Sequence, residues 1–165
     1  MKAAQPRLDD SEPVRMTITE RAVWASASSV IVTSGAYLVL MVSRLLSRPI
    51  AEISWVGPML WTMGLAVAGA VLLTIVFTVA AEAFRRGRGS PASRGEVTSD
   101  VRDQEIGRLG WRASMRVISV GFGAALVLAM LDADTFWIGN LLFLFGTVGA
   151  VVEAITKIGL YRRGF

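Results

Sequence analysis

Apolar and polar positions in this chain fall into long blocks instead of the short rhythms of a water-soluble core. Four apolar runs, at about residues 22–42, 55–81, 111–131 and 136–161, are separated by segments that hold most of the charge. A helix needs about 20 apolar residues to cross a ~30 Å hydrocarbon core, and each run supplies them. The pattern predicts an all-α membrane protein with four transmembrane helices arranged as two related helical hairpins. Residues 1–18 read as a disordered cytoplasmic tail, 19–84 as the first hairpin, 85–105 as a cytoplasmic linker and helix start, and 106–165 as the second hairpin. The acids Asp9, Asp10, Glu12 and Glu20, and the length of the run that follows, argue against a cleaved signal peptide.

Local signals mark where the helices begin and turn. Thr17-Ile18-Thr19-Glu20 has the spacing of a capping box. Pro49 lacks an N–H and disfavours helix at Arg48, which predicts a turn in the connector Ser43–Ser54. Gly87, Gly89, Ser90 and Pro91 read as a flexible linker, and helix signals return at Ser99 or Asp100, leading through Val101, Arg102, Ile106 and Leu109 into the third span. Ser26, Ser29, Thr33 and Tyr37 share one helical face. Small hydroxyl residues of this kind mark helix–helix contacts in membranes, because they admit a close backbone. Gly64-x-x-x-Ala68 and Ala66-x-x-x-Ala70 give the second span the same small-residue character.

The halves also resemble each other. Ala25-Ser26 matches Ala113-Ser114, Gly35-Ala36 matches Gly123-Ala124, Trp55-Val56-Gly57 matches Trp137-Ile138-Gly139, and Phe84-Arg85-Arg86-Gly87 echoes Tyr161-Arg162-Arg163-Gly164. Duplication of a two-span unit would place both copies in one orientation, about a pseudo-two-fold along the membrane normal. Ser26, Thr33 and Tyr37 then correspond to Ser114, Gly121 and Ala125. The expected helix-packing face is Ser26, Ser29, Thr33, Ser114, Gly121 and Ala125, with the two halves of it meeting at the bundle centre.

Charge sets the orientation. Four Lys/Arg lie in the tail up to Arg21, seven between Arg85 and Arg112, and three between Lys157 and Arg163. The opposite connectors hold Arg44 and Arg48 in one and no base in the other, where Asp132 and Asp134 lie. That asymmetry predicts both termini and the central segment in the cytoplasm. Composition agrees: 53% of residues are apolar, only 18% are charged, and the mean hydropathy is +0.54. The net charge of +4 therefore points to anionic lipid and not to nucleic acid. With no Cys and no His, thiol and imidazole catalysis and the commonest metal ligand are excluded, and no catalytic, metal or cofactor site is read from the sequence.

Three charged residues inside the second hairpin stand out: Arg116, Glu153 and Lys157. An ionisable group within a span is a functional hypothesis. One reading makes Glu153 a proton- or cation-coupled site, resembling the single membrane Glu of small multidrug exporters. The favoured reading is structural: Arg116 and Lys157 snorkel toward the headgroups and neutralise Glu153, and the duplicate position, Leu73, offers no second carboxylate.

Asp100-x-Arg102-Asp103-x-x-Ile106, Asp134-x-Phe136-Trp137-Ile138-x-Asn140 and Tyr161-Arg162-Arg163-Gly164 carry one further signal. Over roughly residues 98–164 the chain resembles an uncharacterised family of four-helix bacterial and archaeal inner-membrane proteins. The resemblance implies architecture and location. Genes of this type often sit beside helix-turn-helix regulators, which implies a membrane-linked regulatory role. The expected function is thus a non-enzymatic interaction or regulatory protein, with Asp100, Arg102 and Asp103 in its cytoplasmic contact motif. The alternative is a small homodimeric transporter or exporter using Glu153. The expected partners are the lipid bilayer, a protein in the membrane or cytoplasm, and a second copy of the chain.

Overall fold

The computed structural model describes residues 18–87 and 101–163. Thr17 and Asp100 lie outside them, as do most of the expected tail and linker. Four helices make up the fold: α1 (Ile18–Ser47), α2 (Val56–Gly87), α3 (Val101–Met130) and α4 (Thr135–Arg162). All four are long and apolar enough to cross a bilayer, so the chain is built as a multi-pass, all-α membrane protein. Every helix outruns the apolar run that predicts it. The extension is greatest in α3, which starts ten residues before Trp111 and runs unbroken through the short helix expected to lead into the third span.

The connectors are short and internally bonded. Arg48 closes the last turn of α1, and Pro49 turns the chain into a 3-10 turn over Ile50–Glu52, as its geometry predicts. Between α3 and α4 the acidic pair divides two tasks. Asp132 takes a left-handed φ of 50° and closes a Schellman turn, its N–H bonding Ala129 and that of Ala133 bonding Leu128. Asp134 then caps α4, accepting the Phe136 N–H at 2.8 Å.

The helices pack in the order α2–α1–α4–α3: α1 pairs with α2, α3 with α4, and the two hairpins join through α1 and α4. Ser29 fixes the first pairing by donating to the Ala66 carbonyl at 2.9 Å, over Gly69, where any Cβ would collide with its hydroxyl. Gly121 does the same for α3 and α4, since a Cβ there would run into Phe145. Two bonds span α1 and α4: Tyr37 donates to Asn140 Oδ1 at 2.7 Å, and Thr147 donates to Ser34 at 3.3 Å. Around Tyr37 the connector end collects the main hydrophobic cluster, Met41, Ile53 and Phe136, with Trp55 and Phe143 against it.

This order corrects the expected centre. The small-residue face of α1 meets α2 and α4, and that of α3 meets α4; among the described residues α1 and α3 share no extended interface and meet at the Thr19–Asp103 bond. Ser26 and Thr33 spend their hydroxyls on carbonyls of their own helix. A two-fold between hairpins would demand an α2–α3 interface equal to that of α1 and α4, and the packing has none. The reason is local. Ser29 and Ser34, close together on α1, bond to α2 and α4 respectively, and so commit α1 to those two neighbours.

With no native cysteine, a Ser34→Cys/Thr147→Cys pair should oxidise to an intramolecular disulfide, read as a mobility shift reversed by reductant. Absence of that shift under oxidant would place the join between the hairpins elsewhere.

Candidate functional site

α4 presents Glu153 and Lys157 one turn apart, and Lys157 Nζ donates to Glu153 Oε1 at 2.5 Å. The order Glu then Lys suits the helix dipole. Both side chains are about a quarter exposed, 26% and 22%. On one side their stems cross Gly110 of α3, where a Cβ would sit 2.8 Å from Lys157 Cγ and 3.3 Å from Glu153 Cγ. Gly110 is therefore required for close approach. On the other side they line a cavity of about 200 Å³ shared with Val23, Ser26 and Ala27 of α1. The Ser26 hydroxyl is turned back onto Ala22 and Val23. The arrangement is a self-compensated ion pair flanked by a small pocket. Leaving either charge alone in so apolar a setting would be costly, whereas the pair is neutral.

Arg116 does not join this pair, contrary to the expectation from sequence. It is exposed on α3. Ile106, Gly110, Ser114, Gly121 and Ala125 are the buried positions of that helix. Two residues past Ser114, Arg116 is rotated about 200° away from α4. It continues a row with Arg108 and Arg112, at four-residue spacing on the exposed face. Among the described residues Lys157 is the base that pairs with Glu153.

The expected contact motif divides as well. Asp103 serves the fold: it accepts from Thr19 of α1 at 3.0 Å and from Tyr161 of α4 at 3.2 Å, so three helices close on one carboxylate. Ile106, one turn on, is fully buried beneath it. Arg162 of α4 lies 5.7 Å above the Trp24 ring of α1 and strengthens the same end. Arg102 remains exposed. The Asp103 clasp and the Tyr37–Asn140 bond do not follow from the sequence pattern, although Asp103 and Asn140 both stand in its motifs. Their signal was a lone amide in an apolar run and a lone acid at a helix start. Among the described residues no three His, Cys, Asp or Glu gather where a metal ion would need them.

The chain matches no protein-family model, no curated protein and no solved structure.

Glu153→Gln and Lys157→Met should each lower stability in detergent by about 1–2 kcal/mol, less than a fully buried pair would lose. The double variant should recover most of that loss, which thermal unfolding of the four proteins in a double-mutant cycle measures. Additive losses would show that the two charges act independently.

Proposed function

We propose that this chain is a non-enzymatic interaction or regulatory protein of a bacterial or archaeal cytoplasmic membrane, with both termini inside. The excess of Lys and Arg on the terminal side supports the orientation. The motif resemblance over residues 98–164 supports the location and the regulatory role.

The carrying observation is the first three turns of α3. Asp103, Ile106 and Gly110 lock one face onto α1 and α4. The opposite face offers Gln104, Arg108 and Arg112 to solvent, beside a Trp111 that is 57% exposed, and Arg102 is exposed at the edge of the locked face. Arg108 shares its charge with Glu105 at 2.8 Å, whereas Arg102 and Arg112 form no ion pair among the described residues. A rigid, basic helix face at the level of the interfacial tryptophan suits an acidic segment of a partner protein.

The transporter alternative needs Glu153 to exchange its counter-charge during a cycle. Its pairing to Lys157 on the same helix, with no second acid nearby in the pocket, weighs toward the interaction reading.

A photo-crosslinking residue at Gln104 in intact cells should yield one defined heteromeric adduct, abolished by Arg108→Glu/Arg112→Glu. No adduct, or one indifferent to that charge reversal, contradicts the reading. Proteoliposome flux driven by a proton gradient and lost in Glu153→Gln would establish the transporter instead.

A further inference from the structure

A groove of about 640 Å³ has α2 and α4 as its walls and α1 as its floor. It follows from the packing order, because α2 and α4 both flank α1 without closing on each other. Along α2 it runs from Val56 to Val67 and along α4 from Gly139 to Ala150, eleven steps in each case. At 1.5 Å per residue that is about 16 Å. One leaflet of a ~30 Å hydrocarbon core is about 15 Å thick. The groove is thus as long as one leaflet is deep, and it lies in the leaflet of the connector end.

Its chemistry is that of a hydrocarbon. Ser34, Thr62 and Thr147 are the hydroxyls in the lining, and Thr62 donates to the Pro58 carbonyl while Thr147 donates to Ser34. A polar solute would find only the Ser34 hydroxyl and the Trp55 indole N–H there, too few groups to replace its water. An acyl chain has none to replace.

The mouth of the groove is different. Ser54 precedes the groove residue Trp55 and belongs to a second, polar basin of about 420 Å³ with Arg44, Arg48 and Glu52. Arg44 Nη1 donates to the Ser54 carbonyl at 2.7 Å, which holds the guanidinium on the residue next to the groove's Trp55, with its other N–H groups still available. Arg48 is exposed, and neither Arg is ion-paired, Glu52 included, among the described residues. These two are the bases that depart from the charge asymmetry of the chain. A cationic head above an apolar slot one leaflet deep has the two-part form of a phospholipid.

We infer that the α2/α4 groove and the Arg44/Arg48 basin together form a binding site for one anionic phospholipid, its phosphate on the two guanidinium groups and one acyl chain on the floor of α1. The site uses neither Glu153 nor the basic face of α3, so it stands apart from the proposed function. Native mass spectrometry of the full chain, released from micelles holding equimolar phosphatidylglycerol and phosphatidylcholine, tests it. The wild type should keep phosphatidylglycerol over phosphatidylcholine by about tenfold, the order expected for two arginines near a headgroup. Arg44→Gln/Arg48→Gln should bring the ratio to about one at unchanged helicity. Arg48→Gln alone, at an exposed side chain that forms no ion pair among the described residues, should move it the same way even where the double variant fails to fold. Gly146→Leu, at a groove position with open space around its Cα, should cut adducts of both lipids. Equal retention by the wild type, a preference that survives loss of both arginines, or adducts untouched by Gly146→Leu would each overturn the assignment.

Discussion

The join between α1 and α4 is the contact on which the architecture depends. Each hairpin is closed by its own connector, and a bilayer supplies no hydrophobic force to press one hairpin against the other. What holds them must be packing and hydrogen bonds. At the connector end these are Tyr37 with Asn140 and Phe143, and Ser34 with Thr147. At the terminal end they are the cation of Arg162 over Trp24, and the carboxylate of Asp103 bonded to Thr19 and Tyr161. Polar bonds at both ends, with small residues between them, make a join that cannot slide by a turn without breaking both.

From that join follows an open layer of helices. α2 touches only α1 to any extent, and none of its apolar window is buried within the chain. Its Gly64 and Ala68 remain exposed, while Ala66 and Gly69 serve the contact with Ser29. The layer also explains why the charged residues of the second hairpin separate. Glu153 and Lys157 face inward across Gly110, and Arg116, on the far side of α3, belongs to the exposed row of arginines. Charges close in sequence register are therefore apart in chemistry: one pair is compensated, and one row is presented.

The four helices, the turn at Pro49 and the small-residue faces were legible in the sequence because they depend on run length, a missing N–H and helical spacing. Burial agrees for Ser29, Ser114, Gly121 and Ala125. The neighbour that each face meets was not legible. Spacing tells which residues share a face and says nothing about what lies across it. In a membrane the ambiguity is greater, because lipid-facing and helix-facing positions are both apolar, as the exposed Val39 and Val67 illustrate. Arg116 shows the ambiguity: its place along α3 follows from the sequence, whereas its direction around the helix is set by which face packs on α4. Asp103 was misassigned because an acid at a helix start is equally suited to solvent, and only the approach of Thr19 and Tyr161 decides its role.

The central claim is the helix order, and a spin–spin distance between α2 and α3 tests it most directly. Gly64 and Gly123 lie at similar depths on those helices and both have open space for a label. In the order α2–α1–α4–α3 three interhelical steps of about 8–10 Å separate α2 from α3, so in an open layer the distance should exceed about 20 Å. A distance near 10 Å would mean that α2 and α3 pack together, and would replace the open layer with a closed bundle.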